Sequence, residues 1–561
     1  MNTPQNNAIR CCCVAAGIAL WSAVAGTAAA SQSSAAASIN AADIAHHIQV
    51  LASDKFGGRA PASPGEKLTI DYIRKRFQEY GLKPPADGGY FQTVPLVEIT
   101  TDPHTTLTVS GGDKPLHFDY ANDMIVWTTR EAKHIDLKNS PLVFVGYGIV
   151  APEYHWNDYA GIDVNGKTVV ILVNDPGYAT HNPKLFTGRA MTYYGRWTYK
   201  YEEAARQGAA GALIIHETGP AGYPWKVVSG SWSGPQFMLP PPKNSYRPAV
   251  EGWLTHEAAK KVFAAAGLDL DKLQAAAAQR GFKARPLHLS ASVAFDNRIA
   301  HVQSHNVIGM IPGREHPDEA VIYSAHWDHL GTHPNMPGDN IYNGARDDAS
   351  GVAGLLELAQ AYSLLKQPPA RSVLFLATTS EEQGLLGAKW YTQHPVVPLA
   401  TTVADINMDI MNVWGKTRDI TVIGYGSSHL EDWLRRAAKQ RGRVLRPDPE
   451  PEKGFYFRAD HFAFAKKGVP ALFTEAGVDY LHHPKGWGLR KEHEYTREHY
   501  HKPSDEYNPK WNLSGEAADL KLLFRVGKRL ANSHAWPDWY AGNQFKALRD
   551  QTRGQRQGNS K

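Results

Sequence analysis

From Asn306 onward, short apolar runs alternate with longer stretches whose apolar positions lie three and four residues apart. The short runs predict buried strands, and the longer stretches predict helices. This alternation is typical of an α/β fold, in which a sheet carries helices on both faces. The predicted strands are 307–311, 320–325, 373–378, 403–407 and 471–474, and the predicted helices between them include 352–365 and 430–440.

The segment before this core has a different pattern of apolar and polar positions. Residues 40–82 show helical periodicity around a turn-rich segment, 56–61. From about 140 to 285, short apolar runs such as 169–173 are separated by many turns, which predicts a separate, β-rich inserted domain. A chain of 561 residues also exceeds the size at which one hydrophobic core stops growing.

We therefore predict several units along the chain. Its end, beyond Ala535, is polar and is expected to fray. The predicted units are a signal peptide at 1–30, a first part of the main domain at 40–135, an insert at 136–288, the domain core with the site at 289–535 and a polar tail at 536–561.

The first thirty residues predict export. An apolar run from Cys11 to Ala25 follows Arg10, and Ala28-Ala29-Ala30 precedes Ser31, as in a secretory signal with its cleavage site. The run is shorter than the roughly 20 residues that span a bilayer, which argues against a membrane anchor. We expect a secreted or periplasmic protein that starts near Ser31, with no stable membrane insertion.

The positions of the cysteines and the charge balance limit the kinds of metal site and partner that the chain can have. The 3 cysteines occupy positions 11–13, inside the predicted signal, so the mature protein would have no zinc–thiolate site. Any metal must be bound by His, Asp and Glu, a set that suits zinc, manganese or cobalt. The 60 basic and 55 acidic residues are spread along the chain, so we expect no nucleic-acid partner.

Four clusters of chemically active residues follow the predicted strands, at the edge where open α/β sheets place their sites, and a fifth lies in a loop near the end of the core. Taken singly, each has an ordinary structural explanation as a helix cap, a strand-end histidine or a solvated turn. Together they supply two imidazoles and three carboxylates for a two-metal hydrolase, with one acid left for proton transfer. The clusters are His326-Trp327-Asp328, Asp347-Asp348, Glu381-Glu382, Asp409 and Tyr500-His501.

Several segments resemble those of the two-zinc aminopeptidases and glutamate-carboxypeptidase-like zinc peptidases, a family that includes aminopeptidase Y. The resemblance covers nearly all of the predicted mature chain. It implies a secreted zinc exopeptidase, with aminopeptidase activity favoured, and a mixed, mostly parallel sheet of the zinc exopeptidase fold. The segments are LASDKFGGRAPASPGE from Leu51, SAHWDHLG (324–331), NGARDDASG (343–351), TSEEQGLLGA (379–388), NMD (407–409), RADHFAF (458–464) and YHKPSDEY (500–507).

The resemblance also implies two Zn²⁺ per chain. His326 and Asp409 would bind one ion, Glu382 and His501 the other, and Asp347 would bridge them. His501 is preferred over His499 because it matches the family pattern better.

Three further residues receive roles by the same resemblance. Glu381 resembles the general base that activates a metal-bridging water, and Tyr500 resembles the hydroxyl that steadies the oxyanion. Asp328 resembles the carboxylate that fixes the tautomer of a ligand imidazole. The insert resembles a protease-associated domain over 145–177, for which we expect the role of a structural lid.

Alternative functions remain open. A glutamate-carboxypeptidase-like peptidase would cut at the other end of its substrate, a one-zinc glutaminyl cyclase would transfer an acyl group, and a receptor-like homologue would lack activity. The absence of a G-x-S-x-G elbow argues against a serine hydrolase, and the absence of H-E-x-x-H argues against a zincin. The sequence predicts a peptide substrate and leaves the oligomeric state open.

Overall fold

The computed structural model describes residues 35–85, 88–333 and 336–558. The predicted signal peptide at 1–30 lies outside the described residues. Within the described ranges, no helix combines the length and the apolar composition needed to cross a membrane.

The strands of the described part of the chain are numbered in chain order. They are β1 Phe91–Thr101, β2 Thr106–Ser110, β3 Leu116–Asp119, β4 Met124–Trp127, β5 His134–Phe144, β6 Val150–Ala151, β7 Trp156–Asn157, β8 Thr168–Leu172, β9 Gly211–His216, β10 Pro235–Met238, β11 Val250–Thr255, β12 Arg285–Ile311, β13 His316–His326, β14 Gly331–Thr332, β15 Ile341–Tyr342, β16 Arg371–Thr378, β17 Thr402–Asn407, β18 Asp419–Ile423, β19 Val444–Pro447 and β20 Ala471–Ala476.

The helices are numbered in the same way, and short 3₁₀ turns lie between some of them. They are α1 Ala41–Leu51, α2 Pro64–Glu79, α3 Pro176–Thr180, α4 Trp197–Arg206, α5 Thr218–Ala221, α6 Trp225–Ser231, α7 His256–Ala265, α8 Leu270–Ala277, α9 Ala349–Ser363, α10 Leu386–Gln393, α11 Leu430–Lys439, α12 His461–Ala465, α13 Trp487–Glu498, α14 Ser514–Ala531, α15 Lys546–Gln551 and α16 Arg553–Gly558. The 3₁₀ turns are Asp54–Arg59, Pro152–Tyr154, Tyr193–Gly195, Pro451–Lys453 and Phe455–Phe457.

One large mixed sheet of 16 strands runs through the described chain, and β12 is the strand that joins its two halves. The beginning of β12 pairs with β5, and its end pairs with β16. The main path of the sheet has the order β19-β18-β20-β17-β13-β16-β12-β5-β8-β9-β11-β4.

The first half of the sheet, from β19 to β16 together with the end of β12, contains the predicted core strands. β13 is parallel to both β16 and β17, and β17 is parallel to β20. Every residue of β16 and β17 is buried, as expected for strands covered on both faces. The large hydrophobic cluster on one face includes residues of α1, α2, α9 and α14, and a smaller cluster on the other face includes residues of α10 and α12. The predicted α/β sheet with helices on both faces is confirmed.

The second half of the sheet extends from β5 to β4. β5, β8, β9 and β11 are parallel neighbours, and two further hydrophobic clusters cover their faces. This half also contains helices α3 to α8, and it includes β2, β3 and β4, which precede residue 136. The insert bounds 136–288 and the protease-associated assignment stay predictions.

The end of the chain is more ordered than its composition suggests. Residues 536–558 include α15 and α16, and the side chain of Trp539 is 1% exposed. The indole N–H of Trp539 donates to the carbonyl oxygen of Gly468 over 2.9 Å, and Phe545 packs in the same cluster. The expectation that this tail frays is wrong for its described part, because two aromatic residues anchor it to the core.

Candidate metal centre

The candidate ligands lie at the edge of the sheet where parallel strands end. β13 ends at His326, Glu381 and Glu382 follow β16, and Asp409 follows β17. Because β13 pairs in parallel with both β16 and β17, the carboxyl ends of the three strands meet. Asp347 lies just before α9 and completes the group.

Asp347 lies at the middle of the group, and each of its carboxylate oxygens faces a different imidazole. Its Oδ1 is 3.3 Å from Nε2 of His326, and its Oδ2 is 3.3 Å from Nε2 of His501. His326 Nε2 is also 3.6 Å from Oδ1 of Asp409, and His501 Nε2 is 3.0 Å from Oε2 of Glu382. We call His326, Asp347 and Asp409 the His326 half-site, and Asp347, Glu382 and His501 the His501 half-site.

The second nitrogen of each imidazole is held in a different way. Nδ1 of His326 is 3.1 Å from the backbone carbonyl oxygen of Asp328 and 3.8 Å from its carboxylate. Nδ1 of His501 is 2.9 Å from the hydroxyl oxygen of Ser231, which belongs to the second half of the sheet. In both rings, a hydrogen bond from Nδ1–H would leave Nε2 as the nitrogen that binds a cation.

The Asp328 carboxylate holds the backbone of the predicted general base. The backbone N–H of Glu381 donates to Oδ1 of Asp328 over 3.0 Å, and Oε2 of Glu381 lies 3.9 Å from Nε2 of His326. Burial raises the pKa of Glu381 well above its usual range and raises the pKa of Asp328 to about 7. Glu381 therefore lies beside the His326 half-site, where a bound cation would favour its ionised form.

Tyr500 packs against the second imidazole. The centroids of the Tyr500 and His501 rings are 3.9 Å apart. Burial raises the pKa of the Tyr500 phenol well above its usual range, so the hydroxyl keeps its proton at neutral pH. Tyr500 therefore brings a protonated phenol to the His501 half-site. His499, the competing histidine, points elsewhere, since its Nδ1 is 2.8 Å from the carbonyl oxygen of Ser504.

His329 belongs to the site, although the sequence analysis did not select it. Its side chain is buried, and its Nδ1 lies 2.6 Å from Oε1 of Glu382. His329, Asp347 and Glu382 form a group that could bind a metal ion. The signal was present in the sequence, because His329 directly follows Asp328 in the segment SAHWDHLG.

Asp505 is a second residue that the sequence analysis left without a role. Its carboxylate accepts hydrogen bonds from the backbone N–H groups of Arg346 and Asp347, over 3.2 and 3.1 Å, and from the hydroxyl of Tyr495 over 3.0 Å. Asp505 therefore fixes the backbone that carries the central carboxylate. Its position in the segment YHKPSDEY, shortly after His501, was the available signal.

The charges of the site fit bound cations. Asp347, Asp348 and Asp409 are all buried, and neither Oδ2 of Asp348 nor Oδ1 of Asp409 has a hydrogen-bond partner among the residues that the structure describes. Buried carboxylates without a partner are costly, so such groups are normally paired or bind a metal. Imidazole nitrogens and carboxylate oxygens without thiolates form a donor set suited to Zn²⁺.

Two cavities open onto the site, and both are lined by Glu381, Glu382, Tyr500 and His501. The acidic cavity, of about 90 Å³, is also lined by Asp448, Glu450, Glu475 and Glu492, beside Lys453 and Arg458. The basic cavity, of about 300 Å³, is also lined by Arg196, Lys389, Arg458, Lys466 and Lys467.

Comparison with known proteins identifies related sequences. Residues 306–524, which include all five candidate ligands, match the family model of Peptidase family M28. A stretch of 130 residues is 36% identical to Aminopeptidase NAALADL1 of Mus musculus and covers 22% of this chain and 16% of that protein. A stretch of 106 residues is 38% identical to a probable zinc metalloprotease of Pyrenophora teres f. teres (strain 0-1), covering 19% of this chain and 22% of that protein. The chain thus matches less than a quarter of the length of these curated relatives.

Among solved structures, an aminopeptidase from Aneurinibacillus sp. strain AM-1 has the same fold. The match has a TM-score of 0.50 and 18% sequence identity, and it covers 89% of this chain and 95% of that chain. The mixed, mostly parallel sheet with flanking helices is therefore shared with a known aminopeptidase structure.

Proposed function

We propose that this chain, whose residues 306–524 match the family model of Peptidase family M28, is a secreted two-zinc exopeptidase that removes N-terminal residues from peptides. The observation that carries the proposal is the position of Asp347. Its two carboxylate oxygens face His326 and His501 at equal distances of 3.3 Å, as a ligand shared by two cations would. The predicted signal at 1–30 supports export to the periplasm or beyond.

The residues of the site would divide two Zn²⁺ ions between the half-sites. His326 and Asp409 would hold one ion, Glu382 and His501 the other, and Asp347 both. When bound, such ions polarise a peptide carbonyl and lower the pKa of a water molecule. The complete His501 half-site supports a two-metal peptidase over a one-zinc cyclase or a homologue without activity.

The side chains around the metals would move the protons. Glu381 would accept the proton of the attacking water at a carboxylate oxygen and pass it to the nitrogen of the leaving amine. Tyr500 would donate a hydrogen bond to the oxygen of the scissile carbonyl as negative charge develops there. Asp328 would position Glu381 through its backbone N–H.

The acidic cavity supports cleavage at the amino terminus. Glu475 lines this cavity, and its side-chain carboxylate makes no hydrogen bond or ion pair with any described residue. Burial raises the pKa of Glu475 well above its usual range and that of Asp448 to about 6. A substrate ammonium group would relieve the cost of burying these carboxylates, because an opposite charge favours their ionised form. We assign the amino-terminal residue of the substrate to this cavity.

One observation favours the alternative, a carboxypeptidase. Arg196 lines the basic cavity, is 8% exposed, and its guanidinium makes no hydrogen bond or ion pair with any residue in the described part of the chain. A buried guanidinium without a partner fits a substrate carboxylate. This interaction would serve the carboxyl end of a short peptide in either direction of cleavage.

Peptides with blocked ends separate the two activities. We expect zinc-loaded protein to cleave a short peptide with a free amino terminus and to leave the N-acetylated peptide intact. Amidation of the carboxyl terminus should preserve cleavage. If amidation abolished cleavage and acetylation did not, the chain would be a carboxypeptidase. If the peptide with both ends free were not cleaved, the proposed function would be contradicted.

A further inference from the structure

The hydrogen bond between Ser231 and His501 links the second half of the sheet to the metal site. Ser231 is the last residue of α6, and its hydroxyl oxygen lies 2.9 Å from Nδ1 of His501. Nε2 of the same ring faces Asp347 and Glu382. The imidazole therefore lies between a serine from one half of the molecule and two carboxylates from the other.

The loop that carries His501 packs Tyr500 against the ring but, among the residues that the structure describes, supplies no hydrogen bond to Nδ1. His501 follows α13 and has a φ of 54°, in the left-handed region that disfavours residues other than glycine. Within the described residues, Ser231 is the hydrogen-bond partner of its Nδ1. His326 differs, because its Nδ1 is held by the backbone two residues later in its own chain segment.

The helix that carries Ser231 is itself firmly held. Val227 and Val228 of α6 are buried in a hydrophobic cluster of the second half, and the indole N–H of Trp225 donates to the carbonyl oxygen of Ala121 over 2.8 Å. The next residue, Trp232, packs its ring at 4.9 Å from that of Trp197. The Ser231 hydroxyl is therefore a preorganised partner for the imidazole.

A second contact joins the segment after α6 to the loop that carries Glu382. The backbone N–H of Phe237 in β10 donates to Oε1 of Gln383 over 3.2 Å, and Gln383 directly follows the candidate ligand Glu382. The two ligands that belong only to the His501 half-site are thus each adjacent to a contact from residues 225–238, the segment of α6 and β10. Of these two contacts, the one from α6 belongs to the second half of the sheet, because β10 pairs with β1.

We propose that Ser231 is a positioning residue that completes the His501 half-site, so that this half of the metal centre depends on the second half of the sheet. The inference rests on the proposed function, since it requires His501 to bind zinc. When Nε2 binds a cation, Nδ1 carries the proton and donates a hydrogen bond to the Ser231 hydroxyl oxygen, which fixes the tautomer and the orientation of the ring. The role assigned to this half is then structural support of the metal centre, beyond that of a lid.

The test compares zinc affinities of full-length variants by competition with a chromophoric chelator. We expect Ser231→Ala to weaken one of two zinc sites by about 10–100-fold, the usual effect of removing a partner of a ligand imidazole, and to leave the other site unchanged. Ser231→Thr keeps the hydroxyl and should restore most of the affinity. Excess zinc should restore the turnover of Ser231→Ala.

Ser233→Ala is the matched control, because the Ser233 hydroxyl donates to the carbonyl oxygen of Ser229 and does not contact the site. The inference is overturned if Ser231→Ala keeps both affinities, if Ser233→Ala weakens zinc binding equally, or if Ser231→Thr behaves like Ser231→Ala. Wild-type protein that binds no zinc would overturn the proposed function as well. If wild-type protein had two zinc sites and Ser231→Ala bound zinc at both with unchanged affinity, only this inference would be overturned and the proposed function would stand.

Discussion

Two buried polar clusters, one in each half of the sheet, differ in how the charge of their buried carboxylates is compensated. In the second half, the ammonium of Lys200 lies near the carboxylates of Asp158 and Asp175 and donates to the carbonyl oxygens of Tyr147 and Asn174, over 2.6 and 2.9 Å. In the metal centre, carboxylates outnumber the imidazoles around them, and some of their oxygens have no partner among the described residues.

The carboxylates of the Lys200 cluster are fully hydrogen-bonded. Asp158 accepts from the backbone N–H of Ile149 and the indole N–H of Trp156, and Asp175 accepts from the backbone N–H groups of Gly177 and Thr192. Burial of charge alone therefore does not indicate a metal site. The candidate metal centre is distinguished by buried carboxylate oxygens that have no hydrogen-bond partner among the described residues.

The largest expected effect separates the two adjacent glutamates of the metal centre. Glu381→Gln cannot accept a proton, so turnover should fall at least about 10²–10⁴-fold while zinc content stays at the wild-type level. Glu382→Gln replaces an anionic ligand by a neutral amide, so zinc content should fall instead. Metal analysis beside steady-state kinetics checks both variants, and the opposite pattern would show that the two roles are exchanged.

Removal of zinc should destabilise the protein through the metal centre. Ligands that bind only the folded state stabilise it by about 4 kcal/mol each when their concentration is a thousand times Kd. We therefore expect a chelator to lower the urea midpoint of wild-type protein. Asp347→Asn, which removes the shared anionic ligand, should show a much smaller response to the chelator. Equal responses of the two proteins would contradict the central position of Asp347.

Removal of the Lys200 ammonium should destabilise the Lys200 cluster and leave the metal centre unchanged. Lys200→Met leaves two buried carboxylates without their cation and two carbonyl oxygens without their donor, so we expect a loss of about 3–5 kcal/mol in the free energy of unfolding. Zinc content should stay unchanged. The exposed Lys184 provides the control, because Lys184→Met removes a solvated charge. Urea unfolding of both variants tests the contrast, and a Lys200→Met protein as stable as Lys184→Met would refute it.

A smaller effect concerns pH and a single carboxyl of the second half. Burial raises the pKa of Glu251 from 4.5 to about 7, so the folded state keeps a proton that the unfolded chain releases between these values. Its contribution to stability is complete below pH 4.5 and is lost as the pH rises through 7. Glu251→Gln should therefore gain about 1–3 kcal/mol over wild type at pH 8 and nothing at pH 4. Equal gains at both pH values would exclude this titration as the cause.

The grouping of the candidate ligands was largely predictable from the sequence, because the geometry of a parallel sheet brings the carboxyl ends of its strands to one edge. Continuous apolar runs such as 373–378 predict buried strands, and residues that follow parallel strands, such as His326 and Glu381, must meet at one edge. The structure brings the five predicted ligands together there. It also places the backbone carbonyl of Asp328 closer to His326 than its carboxylate, a choice that depends on local backbone geometry.

Other parts of the site depend on contacts that no local pattern carries. Ser231 precedes His501 by 270 residues, and its own segment shows only a short helix among many turns. The prediction for the polar tail was wrong because composition averages over a segment, whereas a few residues, among them Trp539, Phe545 and the buried Arg549, anchor it to the core. The anchoring residues are few, and their partners lie far away in the sequence.

The central claim is that the cluster around Asp347 binds two metal ions, and the most direct test is the zinc content of the purified chain. Full-length protein would be loaded with zinc, freed of excess by gel filtration and measured by plasma mass spectrometry against protein concentration. We expect two zinc ions per chain in wild type and fewer than one in Asp347→Asn. A wild-type protein with no zinc, or an Asp347→Asn protein that retains two ions, would contradict the claim.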